Sequence, residues 1–446
     1  MQKLRFFWQH LISTFWFIPV MIILGAITLA YTLLMIDINL DFRPKGLFRF
    51  LFVSSLSSAR SLLSTISSAM ISMASTVFSI TLVVLTLASS QLGPRLINNF
   101  MYDRLNQVVL GAYISTYLYC LLIMNMIEEQ EPAQFIPTIS IFVAVILALV
   151  NIMMLVVYIH HIAISIQADK VVADISKSLN LNIYSIFPKS KNAEISHSGL
   201  TDEWKEDQNK SLYLHQQKIK CSRDGYLRYI DQQALLKLIC KWGGLMEMHH
   251  RVGSYLLKGA ELATYHCIQP LEEGPLKKIE EHLIMGSTRS PQQDPEYSLH
   301  QMVEIAVRAL SPGINDPFTA IACIDNLSTT MVYLLKVPFP ARHHFDDKKN
   351  LRLIVDTVTY SGMMDTAFNQ IRQNAHDTPS VVIRLMDALI AIYGFAEEQP
   401  EKNSIKNHMQ LVLNMAEQTF TEAQDLQDLK KRFKQVFPED EDDANG

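Results

Sequence analysis

The stretch that decides the fold runs from Ser61 to Ser90, SLLSTISSAMISMASTVFSITLVVLTLASS. It is long and apolar enough to cross a bilayer, yet it is rich in serine and threonine. The hydroxyls are ordered. Ser61, Thr65, Ser68, Ser72, Ser75, Ser79, Thr86 and Ser90 recur at spacings of three and four, with one gap at Leu82. On an α-helix that spacing draws a single polar stripe. A second stripe carries Ile66, Met70, Met73, Val77, Ile80, Val84 and Leu87, which suits lipid or other apolar helices. A spanning helix with one hydroxyl face needs either a close helix neighbour or water on that face. From the sequence, both readings stay open.

Three further segments are long enough to span about 30 Å of hydrocarbon. With the striped segment they give spans at about 15–36, 69–88, 107–127 and 135–159. Residues 47–64 are amphipathic and either lie at the interface or lengthen the second span. Gly93, Pro94 and Arg95 supply its stop. The placement of Lys and Arg sets the topology. Lys3 and Arg5 precede the first span, Arg95 and Arg104 follow the second, and Lys170 and Lys177 follow the fourth. The loop after the third span carries Glu128, Glu129 and Glu131. Both termini are therefore expected in the cytoplasm, although Arg43, Lys45, Arg49 and Arg60 oppose that placement.

The 446 residues are 49% hydrophobic, and the apolar ones crowd into the first 160 or so. A transmembrane domain at 1–162 is thus followed by a charged, soluble part. A net charge of only -5 gives no basic field for nucleic acid. Cys120, Cys221, Cys240, Cys267 and Cys323 are odd in number and widely spaced, as expected of reduced thiols. The first apolar run is not followed by a small-residue cleavage site, so no signal peptide is expected.

In the soluble part, an exit helix and polar linker are expected over 163–216 and a β-rich module over 217–270. A helical domain over 271–436 and an acidic tail over 437–446 complete it. The fold class is therefore a four-helix membrane protein followed by a cytoplasmic α+β domain. SRDGYLRYID and HHRVGSYLLKGAELATY resemble the two halves of a barrel-sandwich hybrid domain, as in lipoyl-type domains and membrane-fusion adaptors. The insert QQALLKLICKWGGLMEM reads as a helix rather than as a hairpin bearing a carrier lysine. A structural module without a swinging cofactor follows.

The strings ALSPGINDPFTA (Ala309 to Ala320) and FSITLVVLTLASSQLGPRL (Phe78 to Leu96) resemble a bacterial family of predicted membrane proteins of unknown function. RDGYLRYID and GSYLLKGAEL extend the resemblance over essentially the whole chain. It implies a four-span inner-membrane protein with a cytoplasmic domain, and no activity.

The residues must then supply the function. If the stripe faces water, it lines a path in a homo-oligomer, since four spans leave little room for a pore in one protomer. Arg60 and Arg95 at its ends favour anions, whereas Glu128, Glu129 and Glu131 draw cations to the outer mouth. In SPGINDP, Pro312 and Gly313 make a turn and Asp316 caps the next helix. Alternatively Arg308, Ser311, Asn315 and Asp316 form a ligand or subunit-contact loop, with Arg308 near enough to pair with Asp316. The pairs His160-His161, His249-His250 and His343-His344 place adjacent rings on opposite sides, so no metal site is expected. GxxxxGK[ST], GxGxxG, GxSxG and HExxH are absent, and the four spans carry no ionisable residue. These readings favour an ion channel over an enzyme or a proton-coupled transporter. The rival reading is a membrane-anchored scaffold that binds protein partners. Lipid, ions and further copies of the chain are the expected partners, with no cofactor.

Overall fold

The structure, a computed structural model, describes residues 16–39, 55–92, 104–127, 135–165, 167–188 and 210–438. The chain divides into two compact units, Met1–Lys170 and Val171–Gly446. The boundary falls a few residues beyond the one expected from hydropathy.

Four helices in the first unit are long and apolar enough to cross a membrane: α1 (Phe17–Asn39), α2 (Leu56–Leu92), α3 (Arg104–Asn125) and α4 (Thr138–Ser165). Two run longer than the sequence indicated. Residues 56–64 extend α2 as one helix, about 55 Å at 1.5 Å per residue, so the lengthened second span is the form adopted. α4 continues through His160 and His161 to Ser165. The stop at Gly93, Pro94 and Arg95 lies outside the described residues.

α3 packs against all three other helices. Its Gly111 permits the crossing with α1, because a Cβ there would meet the Pro19 Cα and the Ile22 side chain at 3.0 Å. Several polar groups buried among these helices are hydrogen-bonded across the interfaces, although the side-chain oxygens of Asn106 and Gln107 on α3 are buried without a partner. The Tyr113 hydroxyl donates to the Asn151 carbonyl (2.8 Å) and Tyr119 to the Ser140 carbonyl (2.9 Å). The Asn151 amide donates to the Thr116 hydroxyl (2.8 Å), and Tyr158 donates to the Val77 carbonyl (3.0 Å). In hydrocarbon each such group left unpaired would be costly, so these bonds fix which helix faces meet.

Helix α5 (Ala168–Ile186) carries the chain past Lys170 into the second unit, where its Ser176 and Asn180 bond to Asn326 and Thr330 of a later helix, α9 (Pro317–Leu334). The strands are β1 (His215–Lys220), β2 (Gly225–Ile230), β3 (Leu245–Met248), β4 (Tyr255–Leu256), β5 (Glu261–Cys267), β6 (Leu283–Gly286), β7 (His343–Phe345) and β8 (Leu351–Ile354). They form one sheet in the order β1-β5-β3-β8-β7 and another in the order β4-β2-β6. Of the insert expected to be helical, Gln232–Trp242 forms α6, capped by Asp231 and ended by Gly243 at φ 79°, whereas its last four residues, Leu245–Met248, are strand β3. α6, α7 (Glu273–Glu280) and both sheets share one apolar core around Leu227, Ile239, Met246 and Tyr265.

The region expected to be helical from 271 onward contributes β6, β7 and β8, so the β-module is not confined to 217–270. The reason is long-range pairing. Leu351 to Ile354 is a four-residue segment interrupted by Arg352, too short to be distinctive on its own, and β8 lies parallel to β3 with Leu353 opposite Met246. The remainder is helical: α8 (Pro295–Ala309), α9, α10 (Tyr360–Asn374), α11 (Pro379–Phe395), α12 (Gln399–Thr419) and α13 (Ala423–Val436).

Candidate functional site

α2 meets its own protomer with one face only. Ala59, Leu63, Met70, Ala74, Val77, Val84 and Ala88 are buried against the bundle. The apolar stripe read from sequence is therefore a packing face, except that Leu87 is exposed. Every hydroxyl of the polar stripe, Ser61, Thr65, Ser68, Ser72, Ser75, Ser79, Thr86 and Ser90, is exposed. Ser57, Ser58, Ser61, Leu62, Thr65 and Ile66 line a shallow groove of about 570 Å³ at the start of this face.

The hydroxyls are not uniformly distributed along that face. Up to Thr76 its exposed side chains are almost all serine or threonine, Ile71 being the large apolar exception. Beyond that point Phe78, Leu82, Val83 and Leu87 are exposed among Ser79, Thr86 and Ser90. Leu82, the gap in the stripe, is about half exposed on the same line. Thr65, Ser72 and Thr86 donate their hydroxyl protons to carbonyls four residues back, and Ser90 to the Leu87 carbonyl. Their oxygens are left facing outward as acceptors.

The outward faces of the other helices differ. α1 exposes Met21, Leu24, Ile27 and Ile38, with Thr28, Tyr31 and Thr32 among them, and α4 exposes Leu149, Val150, Met153, Val156 and Val157. Those surfaces match lipid tails; the hydroxyl face of α2 does not.

Of the charges expected at the stripe's ends, Arg60 donates from Nη2 to the Ile127 carbonyl (2.8 Å), just past the C-terminus of α3. Arg95, Glu128, Glu129 and Glu131 lie outside the described residues. The expectation that the spans hold no ionisable group is corrected. Asp37 lies inside α1 and is buried, and its carboxylate accepts from the backbone N–H groups of Ile139 and Ser140 at the start of α4 (both 2.9 Å). It stands one residue past the span edge read from hydropathy, beside Ile36 and Ile38, and that apolar flank is the signal that marked it.

In the second unit, Arg308, Ser311, Asn315 and Asp316 are gathered into one tight connector between α8 and α9. The Ser311 hydroxyl donates to the Arg308 carbonyl (2.7 Å), and Asn315 holds a left-handed φ of 49°. Asp316 caps α9: Oδ1 accepts the Thr319 N–H (3.1 Å) and Oδ2 the Thr319 hydroxyl (2.5 Å). Its carboxylate is thus occupied by Thr319 in a capping role. Pro312 through Asn315 are exposed, as is Phe318.

The histidine pairs gather no metal set; among the described residues no group of three or more His, Cys, Asp or Glu is placed to hold an ion. His343 and His344 lie in β7. Asp346 accepts from the Lys348 and Asn350 N–H groups, from Asn350 Nδ2 and from Arg352 Nε. All five cysteines are free.

A family model described as "Predicted membrane protein (DUF2254)" matches residues 12–391. The chain belongs to this family. Among DUF2254 relatives, the uncharacterized protein Rv1290c of Mycobacterium tuberculosis is 27% identical over 376 residues, covering 82% of this chain and 70% of that protein. The uncharacterized protein Mb1321c of Mycobacterium bovis matches to the same extent. No solved structure matches the chain significantly. Family membership and the four apolar helices make this a membrane protein of the DUF2254 type, with a soluble, mostly helical α/β part.

Proposed function

We propose that this DUF2254 protein is the subunit of an oligomeric ion channel in the bacterial inner membrane. The hydroxyl face of α2 lines the path, and both termini lie in the cytoplasm with the soluble unit, which assembles and gates the ring. The single observation that supports this reading is the orientation of α2. Its apolar face is consumed within the protomer, while its hydroxyl face is turned out beside helices whose outward faces are apolar. In a bilayer a hydroxyl face of that length is better placed against water or a second copy than against lipid. Leu82 and Phe78 then form a dry constriction below the hydroxylated part, of the kind that gates by dewetting. The stripe's outward acceptor oxygens, with Arg60 engaged at Ile127, lean toward cations. In this role the chain carries out no catalytic step and uses no cofactor, and its sheets serve as a barrel-sandwich-like structural module.

One observation favours the rival, a membrane-anchored scaffold without transport. Back-bonded hydroxyls such as those of Thr65 and Ser72 are already satisfied and permit dry, close helix packing between copies. Purified protein in planar bilayers separates the two. A channel passes current that Ser72→Trp or Ser79→Trp alters; a well-folded oligomer that stays silent eliminates the channel. A monomer in detergent and in lipid removes the place for a shared pore.

A further inference from the structure

The five-stranded sheet has two unlike faces. Ile219, Ala263, Tyr265, Met246 and Met248 point into the apolar core. The opposite face carries His266 and Thr264 of β5, with Glu247 and His249 on β3 and just beyond it. Pairing places Glu247 opposite Thr264 and Leu245 opposite His266. Residues 210–214, the described lead into β1, are tied to this face. Lys210 Nζ bonds to Glu247 Oε1 at 2.8 Å, Tyr213 packs on Leu245, Leu351 and Ile354, and the Tyr213 hydroxyl meets Arg352.

His266 is 3% exposed, and neither ring nitrogen makes a hydrogen bond. Its Nε2 stands 3.5 Å from Glu247 Oε2, on the same carboxylate that holds Lys210. The other titratable groups facing it are His249, which bonds to Thr264 and stands 3.5 Å from Glu261, and Lys218, which pairs with Glu261 at 2.7 Å. Glu261 is thereby occupied. Glu247 is the acceptor within reach of a proton on His266.

We propose that His266, Glu247 and Lys210 form an acid-sensitive latch on the segment that leads from the linker into the sheet. At neutral pH the buried ring is uncharged, and Glu247 serves Lys210. A proton from water on Nε2 makes the ring a cation 3.5 Å from Glu247 Oε2; closing that gap to a direct bond draws the carboxylate away from Lys210, whose Nζ is held by Oε1 and is now repelled by the ring, so residues 210–214 come free of the sheet. Burial holds the ring below the usual histidine range, with Glu247 pulling the other way, so release occurs on acidification below about pH 6.5. A folded-state value below the unfolded one means that the docked form loses stability as pH falls. The latch stands independently of the channel reading.

Hydrogen exchange on the full-length protein in lipid, expressed as protection factors, tests it. Between about pH 7.5 and 5.5, protection of 210–214 should fall at least tenfold while that of α10 to α12 holds. His266→Gln should abolish this pH dependence, and Lys210→Gln should leave the segment loose at both values. An unchanged wild-type segment, or an equal loss in His266→Gln, overturns the proposal. If His266→Gln misfolds, the wild-type His266 titration decides. A midpoint coinciding with the loss of protection upholds the latch, and one displaced from it by a full unit refutes it.

Discussion

The Asp37 carboxylate accepts the Ser140 hydroxyl at 2.6 Å, and with it the first free N–H groups of α4. A side chain at the end of one spanning helix thus caps another, roughly a hundred residues away in sequence. The cap satisfies donors that have no partner within their own helix and matches the positive end of its dipole.

Asp37→Ala strands those donors in a buried position and should destabilise the membrane unit by about 3 kcal/mol. Thermal unfolding in detergent measures it as a Tm drop of several degrees. Asp37→Asn, which keeps one acceptor oxygen, should recover part of the loss. Equal stability of Asp37→Ala and wild type would show that the cap is not formed.

Asp316 separates a cap from a charge-dependent site. As a cap on α9 its loss in Asp316→Ala should cost about 1 kcal/mol, while Asp316→Asn, itself a good capping residue, should be close to neutral. A loss in Asp316→Asn as large as in Asp316→Ala would assign the carboxylate's charge to a ligand or subunit contact instead.

Leu82 interrupts the polar line of α2 at the point where Phe78, Val83 and Leu87 crowd its exposed face. If this is the dry constriction of the path, Leu82→Ser should raise single-channel current or open probability several-fold in planar bilayers. Unaltered current in a protein whose wild type conducts would move the gate elsewhere.

Asp346 ties the β7–β8 turn, and its bonds, those from Asn350 foremost, hold its carboxyl far below the usual carboxylate range. The folded value lies beneath the unfolded one, so its contribution is complete above about pH 4 and is lost only as the medium becomes strongly acid. The Tm gap between wild type and Asp346→Ala should stay constant from pH 7 to about pH 4 and close below that. A gap already closing between pH 6 and 5 would contradict this.

Hydropathy and spacing were sufficient for the four spans, the amphipathic exit helix, the Asp316 cap and the polar stripe, because each is a local pattern on one helix. What escaped them depends on pairing across the chain. β7 and β8 exist because Leu353 finds Met246 more than a hundred residues earlier. Asp37 lies within the membrane unit because α4 brings it two N–H groups. For the stripe itself, sequence gave its position on α2, whereas its exposure required knowing which face the other helices occupy.

Thiol accessibility in lipid decides whether the α2 hydroxyl face meets water. In a Cys240→Ser background, Ser72→Cys, Ser75→Cys and Ser79→Cys are treated with a membrane-impermeant, water-soluble thiol reagent, beside Met153→Cys on the apolar face of α4, 71% exposed in the protomer. The three stripe thiols should react while Met153→Cys stays inert, since a thiolate forms in water and not in hydrocarbon. Stripe thiols as inert as the one at position 153 would contradict contact with water and leave dry packing as the role of the stripe.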